Sequence, residues 1–151
     1  AILKATGYAR ASGLLTWADD SGLEVDYLQG WPGVESARHA GPDATDQDRV
    51  QLLLQRLEGV PFEKRGAVFR CVVALATPDG QVKTAAGSSS GVIARFPAGE
   101  NGFGYDPVFF IPKFGCTYAE LSSEAKHTVS HRGRAAQRAR SLLQALLAHE
   151  P

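Results

Sequence analysis

Two stretches in the first part of the chain have the composition or apolar spacing of helices. The first covers residues 1–12 and ends at Gly13, a residue type that readily takes the left-handed conformation found at helix ends. The second covers roughly 46–58, with its apolar residues on one face and an N-cap at Asp43 or Thr45. Towards the end of the chain, Thr117 and Glu120 have the spacing of a capping box for a short helix. Ser130 can cap the last helix, which carries an apolar stripe at helical spacing.

Short apolar or alternating runs predict the strands of a sheet. In chain order they cover residues 14–18, 24–28, 67–76, 81–88, 92–95 and 107–111. The run 67–76 is apolar on both faces apart from Arg70, which predicts a central strand covered on both sides. A tight turn after it predicts that the next strand returns antiparallel. The glycine- and serine-rich residues 87–91 are interpreted as a flexible strand connection.

Length and charge restrict the classes of function. With 151 residues and 44% hydrophobic content, the chain fits one domain. The 16 basic and 16 acidic residues cancel, which argues against a nucleic-acid-coating protein. No apolar run approaches the ~18 residues of a membrane span, and no signal peptide is recognisable. Cys71 and Cys116 lack metal-ligand spacing and are interpreted as reduced thiols, one in the core and one in a loop, so the sequence predicts a cytoplasmic protein without membrane partners.

The segment ADDSG, with Asp19 and Asp20 at its centre, is the first candidate for chemistry. It is interpreted as an acidic turn just past a strand end. Adjacent carboxylates repel each other unless they share a cation or a proton. Magnesium suits such a pair, because it accepts one or two carboxylates together with water and phosphate oxygens. The alternative is that Asp19 or Ser21 only caps the turn.

A glycine-rich aromatic loop over residues 99–107 is the second candidate. Its glycines allow a ligand to approach the backbone, and Phe103 and Tyr105 offer flat rings on which a purine can stack. Asp106 adds a hydrogen-bond acceptor beside them. The alternative is a hairpin that packs its aromatic rings into the core.

Cations near the start of the last predicted helix form the third candidate. Lys126, His131, Arg132 and Arg134 lie around Ser130, the expected N-cap, where the helix dipole repels positive charge. A bound anion or keto oxygen would relieve that conflict. A solvated basic patch is the alternative, and it is preferred for Arg134.

Taken in order, these segments resemble the inosine triphosphate pyrophosphatase family. The matching stretches are AILKA, ADDSGLEVD, GWPGVESARHAG, PDATDQD, RGAVFRCVVAL, GVIARFPAGENGFGYDPVFF and TYAELSSEAKHTVSHRGRA. The resemblance covers nearly the whole chain. It implies an α/β fold of the ITPase-like type, with a long curved mixed sheet flanked by helices and two lobes around a central cleft. It also implies a homodimer that uses Mg²⁺ and hydrolyses ITP, dITP and XTP to the monophosphate and pyrophosphate.

The same resemblance implies roles for individual residues. Asp20 would be the base that activates water and a magnesium ligand, with Asp19 as its partner at the metal. The implied substrate-binding residues are Lys4, Ser21, Phe103, Gly104, Tyr105, Asp106, Lys126, His131 and Arg132. The first two of these would contact the phosphates, and the others would form the purine site.

Members of that family begin with a strand and a phosphate loop ahead of AILKA, and this sequence has neither. We therefore expect residues 1–151 to form a single pyrophosphatase domain that lacks those parts and is weakly active by itself. Two alternatives remain open. One is a catalytically impaired nucleotide-binding fragment, and the other is a nucleotide pyrophosphatase of the septum-formation-inhibitor type.

Overall fold

A computed structural model describes residues 1–148 as an α/β fold of four helices and six strands. The helices are α1 (Ile2–Ser12), α2 (Asp46–Arg56), α3 (Ser123–Val129) and α4 (His131–Leu147). The strands are β1 (Thr16–Val25), β2 (Pro32–Gly33), β3 (Gly66–Ala76), β4 (Val82–Ile93), β5 (Phe109–Ile111) and β6 (Cys116–Thr117). Short 3₁₀ turns cover Asp26–Leu28, Phe62–Lys64 and Tyr118–Glu120.

The strands form one sheet in the order β2-β1-β3-β4-β5-β6. Leu23 of β1 lies opposite Gly33 of β2, and Val92 of β4 lies opposite Phe110 of β5. Phe110 in turn lies opposite Thr117 of β6. All three of these pairings are antiparallel. The predicted α/β class is confirmed.

The acidic turn that was expected at residues 18–22 is wrong, because these residues belong to strand β1. Thr16–Val25 is one continuous strand, so residues 19–22 lie inside it, and the second strand predicted from residue 24 does not exist separately. The physical reason lies at Gly22, where a Cβ atom would sit 2.5 Å from the carbonyl oxygen of Gly33. Glycine is therefore needed here because two backbones approach closely, and it does not mark a turn.

Strand β4 corrects the interpretation of the serine run. Residues 87–91 belong to the interior of Val82–Ile93 and do not form a flexible connection. A Cβ atom on Gly87 would lie 2.2 Å from the carbonyl oxygen of His131 and 2.4 Å from the amide nitrogen of Ala135. The small residues let helix α4 pack directly on the strand.

The helix ends follow the sequence closely. Gly13 ends α1 with a left-handed φ of 70°, and Thr45 forms a capping box with Asp48 at the start of α2. Thr117 and Glu120 form the expected capping box, and the Ser130 hydroxyl accepts a hydrogen bond from the third residue of α4. Helix α3 was not predicted, since it has no buried residues and hence no apolar stripe. Cys116 lies in strand β6 rather than in a loop.

The chain divides into two compact units. Unit 1 contains Ala1–Ser21, Arg70–Ser88 and the described residues from Val129. In its core, Ala74 and Ala76 of β3 cluster with alanines of α1, while Cys71 and Val73 cluster with alanines of α4. Alternate residues of a strand point to opposite faces, so this half of β3 is covered on both sides, as predicted.

Unit 2 contains Gly22–Phe69 and Ser89–Thr128. Its core is largely aromatic: the Phe109 ring centroid lies 4.6 Å from that of Phe69 and 4.9 Å from that of Tyr118. Across residues 1–148, no helix combines the length and the apolar character needed to cross a membrane.

Candidate functional site

The two adjacent carboxylates of β1 each pair with a different cation of unit 1. The Asp20 carboxylate lies 3.4 Å from the ammonium group of Lys4, and its side chain is 61% exposed. The Asp19 carboxylate accepts a hydrogen bond of 2.7 Å from Nε of Arg132. Because successive strand residues point to opposite faces, the two carboxylates are separated rather than forced together. Lys4 and Arg132, both expected near the substrate, are thereby placed beside the acidic segment.

Asp19 also borders a buried thiol. Sγ of Cys71 lies 3.9 Å from the Asp19 carboxylate. Burial raises the pKa of Cys71, and the negative charge of Asp19 adds to that effect against the opposing influence of the Ser21 hydroxyl and Arg132. Both cysteines are free, and Cys71 is a buried core residue as expected. The thiol therefore stays protonated at neutral pH and is a poor nucleophile.

Asp20 is the more open of the two carboxylates for a cation. Among residues 1–148, no group of three or more His, Cys, Asp or Glu side chains is arranged to hold a metal ion. The exposed Asp20 carboxylate by itself fits magnesium, which retains water and takes phosphate oxygens as further ligands, whereas Asp19 points to the opposite face and is bound by Arg132. These donors do not fit a closed structural zinc site, which needs four protein ligands.

The first turn of α4 carries His131 and Arg132. His131 is buried, while the side chain of Arg132 is 43% exposed above the strand that holds Asp19. Arg134, two residues further on, donates a hydrogen bond of 2.7 Å to the backbone carbonyl of Ser88. Arg134 thus lies on the surface and ties α4 to β4, consistent with the preference for a non-catalytic role.

In unit 2, the aromatic loop brings three of the predicted residues together. Asp106 is buried, and its carboxylate accepts hydrogen bonds from the Phe103 amide at 2.8 Å and from the ammonium group of Lys126. The same ammonium group lies 4.9 Å from the centroid of the Phe103 ring, which is 60% exposed. A Cβ atom on Gly102 would collide with the Asp106 carboxylate, so this turn requires glycine. The result is an open aromatic ring beside a fixed hydrogen-bond donor.

Tyr105 lies in a different environment from Phe103. Its ring is buried and stacks on His39 with the centroids 6.1 Å apart. Its hydroxyl donates to the carbonyl of Ser36 at 2.8 Å and lies 3.1 Å from Nδ1 of His39. Burial raises the pKa of Tyr105 far above its ordinary value. The exposed ring of this loop is therefore that of Phe103, and Tyr105 anchors the loop in the core.

One contact of the loop was not found from the sequence. The amide of Gly104 donates a hydrogen bond of 2.6 Å to the Asp46 carboxylate, whose other oxygen lies 2.8 Å from the guanidinium of Arg49. Asp46 and Gly104 are 58 positions apart, so no local pattern reveals the contact. The only signal was that Asp46 falls inside PDATDQD, one of the stretches that carry the family resemblance.

Comparisons with known proteins agree with that resemblance. A dITP/XTP pyrophosphatase of Desulforamulus reducens is 51% identical over 150 residues, which cover 99% of this chain and 75% of that protein. A dITP/XTP pyrophosphatase of Escherichia coli O157:H7 is 52% identical over 137 residues, which cover 89% of this chain and 70% of that protein. The structure of the Staphylococcus aureus Ham1 protein superposes with a TM-score of 0.89 at 43% identity, covering 96% of this chain and 74% of the other.

The model of the Ham1 family matches residues 1–142. That match extends from the Lys4 helix through both the acidic strand and the aromatic loop to α4. The chain therefore belongs to the Ham1 family.

Proposed function

We propose that this protein hydrolyses the non-standard purine nucleoside triphosphates ITP, dITP and XTP to the monophosphate and pyrophosphate, clearing them from the cytoplasmic nucleotide pool. The observation that carries this proposal is the exposed Phe103 ring beside the Asp106–Lys126 pair. Relatives that share about half of their residues with this chain bear the name dITP/XTP pyrophosphatase, which supports the same substrate class.

Base choice follows from the hydrogen-bonding capacity of lysine. An ammonium group donates hydrogen bonds and accepts none, so Lys126 can pair with the 6-keto oxygen of hypoxanthine or xanthine. Adenine presents a 6-amino group at that position, which is itself a donor. The amino group and the Lys126 ammonium group could not bond to each other, and leaving them unpaired is costly once water is excluded. Phe103 supplies stacking that does not depend on the base. By the family resemblance, Gly104 and Tyr105 of the same loop belong to the purine site, where the buried Tyr105 would hold the loop in place. The resemblance also implies His131 and Arg132 as substrate-binding residues.

Hydrolysis needs a base, and Asp20 is the proposed one. Its exposed carboxylate takes a proton from the water that attacks phosphorus, and pyrophosphate leaves. Lys4, 3.4 Å from that carboxylate, would then stabilise negative charge on the phosphates together with Ser21. General-base catalysis contributes roughly 10²–10⁴ in rate, so charge stabilisation and positioning must supply the rest.

A magnesium ion is proposed as the cofactor, with the exposed Asp20 carboxylate as its protein ligand. The resemblance implies Asp19 as its partner at the metal, but the Asp19 carboxylate points to the opposite face of β1 and pairs with Arg132. When bound, such an ion would neutralise charge on the triphosphate and act as a Lewis acid that makes the phosphorus atom more electrophilic. Asp19 would be held in place by Arg132 through their 2.7 Å hydrogen bond. A homodimer is also proposed from the resemblance, and light scattering of the purified protein tests it.

A pyrophosphate-release assay on ITP, XTP, dITP, GTP and ATP with magnesium tests the function. The dITP/XTP pyrophosphatase of Desulforamulus reducens serves as the positive control. We expect this protein to prefer the keto purines over ATP. ITP binding without pyrophosphate release would favour an impaired nucleotide-binding fragment. Turnover of other nucleotides alone would favour the septum-formation-inhibitor type.

A further inference from the structure

The aromatic loop is held to the rest of unit 2 by three successive residues. Asp106 bonds to Lys126, and Tyr105 bonds through its hydroxyl to the Ser36 carbonyl. The contact of Gly104 differs from these two, because it runs from the loop backbone to a carboxylate on a helix. The Gly104 amide directly follows Phe103, so the atom that Asp46 binds is part of the peptide unit that orients the Phe103 ring.

The Asp46 carboxylate is well placed to be a fixed acceptor. It lies in the first turn of α2, where the helix dipole stabilises negative charge. One oxygen lies 2.8 Å from Arg49, whose side chain is 17% exposed, while the Asp46 side chain is 51% exposed, so the pairing with Arg49 and not burial orients the carboxylate. The other oxygen accepts from Gly104 at 2.6 Å, a length typical of a charge-assisted hydrogen bond.

The backbone conformation of Gly104 explains why the Phe103–Gly104 peptide needs a restraint from outside the loop. The φ of Gly104 is +61°, in the left-handed region, and no atoms beyond its two chain neighbours lie within 4 Å of where its Cβ would be. Glycine in open space has more conformational freedom than any other residue, so packing does not hold this peptide in place. Within the loop, the carbonyl of this peptide accepts a long hydrogen bond of 3.3 Å from the Asp106 amide, and the shorter hydrogen bond to Asp46 restrains the peptide from outside the loop.

We infer that Asp46 is a positioning residue for purine binding, which fixes the Phe103–Gly104 peptide and so presents the Phe103 ring beside Lys126. This inference rests on the proposed purine site, and it assigns Asp46 no contact with the substrate. Loss of Asp46 should therefore weaken nucleotide binding without slowing the chemical step. The effect should appear in KM and not in kcat.

The test measures ITP hydrolysis by the wild type, by Asp46→Ala and Asp46→Asn, and by the control variant Asp48→Ala. Asp48 lies in the same turn of α2 and carries the same charge, but it caps the helix through Thr45 and does not contact the loop. Asp46→Ala should raise KM for ITP about tenfold, the scale of one charge-assisted hydrogen bond, with kcat within about twofold. Asp46→Asn keeps an acceptor oxygen and should recover most of that loss. Asp48→Ala should lower stability and leave KM unchanged.

Hydrogen exchange of the Gly104 amide, followed by NMR, gives a readout that needs no catalysis. It should become faster in Asp46→Ala and stay slow in Asp48→Ala. Equal KM changes in the alanine variants of Asp46 and Asp48, or unchanged exchange at Gly104, would overturn the inference. If the wild type does not hydrolyse ITP, the proposed function fails, and the exchange measurement still decides whether Asp46 restrains the loop.

Discussion

Removing the charge of Lys126 should leave a buried carboxylate without its cation. The Asp106 side chain is 3% exposed and that of Lys126 17%, so Lys126→Met keeps the apolar stem and removes only the ammonium group. Breaking a buried ion pair on one side costs about 3–5 kcal/mol. The Phe103 amide still donates to Asp106. We therefore expect Lys126→Met to lower the free energy of unfolding by about 3 kcal/mol, the lower end of that range. This loss corresponds to a fall in Tm of about 6–12 °C for a chain of this size.

Urea unfolding of Lys126→Met, Asp106→Asn and the double variant measures this coupling. Asparagine at 106 keeps an acceptor for the Phe103 amide and carries no charge, so the double variant should be more stable than Lys126→Met alone. The reasoning is refuted if Lys126→Met unfolds within 1 kcal/mol of the wild type, a threshold set by ordinary surface pairs worth about 0–1 kcal/mol. It is also refuted if asparagine at position 106 brings no recovery.

Further predictions concern other side chains. By the family resemblance Arg132 contacts the purine, so Arg132→Ala should lower kcat/KM for ITP more than for ATP. An equal loss for both would assign Arg132 to phosphate binding or to stability through its hydrogen bond with Asp19. Burial holds the pKa of His39 below its ordinary 6.5, so the free energy of unfolding should fall as the pH drops below that value. His39→Phe should flatten that part of the pH profile, and an unchanged slope would contradict the assignment. A thiol reagent at pH 8 should label Cys116 well before the buried Cys71, whose pKa is raised, and comparable rates would contradict this.

Features set by short-range chemistry were predicted well from the sequence. Thr45, Thr117 and Ser130 each accept a backbone amide three positions ahead, so their capping roles are visible within four residues. The left-handed end of α1 at Gly13 is local in the same way. Such interactions depend little on the rest of the fold.

Features set by distant neighbours were predicted wrongly or missed. Gly22 and Gly87 were interpreted as a turn and a flexible connection, whereas each lies inside a strand because another backbone segment approaches it. Nothing within a few residues of either glycine reveals that neighbour. A glycine permits both a turn and a close approach, and only the tertiary structure decides between them.

In the candidate site, too, the types of the residues were predictable from the sequence, whereas their tertiary contacts were not. Phe103, Asp106 and Lys126 were singled out by residue type and by resemblance, and the structure brings them into contact. The burial of Tyr105 agrees with the alternative in which the loop packs its aromatic rings into the core, but no local pattern reveals its contacts with Ser36 and with a histidine more than 60 residues away. Side-chain chemistry was thus easier to predict than exposure.

The turnover of ITP by Asp20→Asn tests the central claim most directly. Asparagine nearly preserves the shape of the side chain and removes its ability to take a proton. Asp43→Asn, at an exposed carboxylate in the loop before α2, is the matched control. With ITP as the substrate, kcat of Asp20→Asn should fall by at least about 10²-fold. The kcat of Asp43→Asn and the Tm of both variants should stay near the wild-type values. A kcat within a few-fold of the wild type would show that Asp20 is not the base and would contradict the mechanism proposed for this protein.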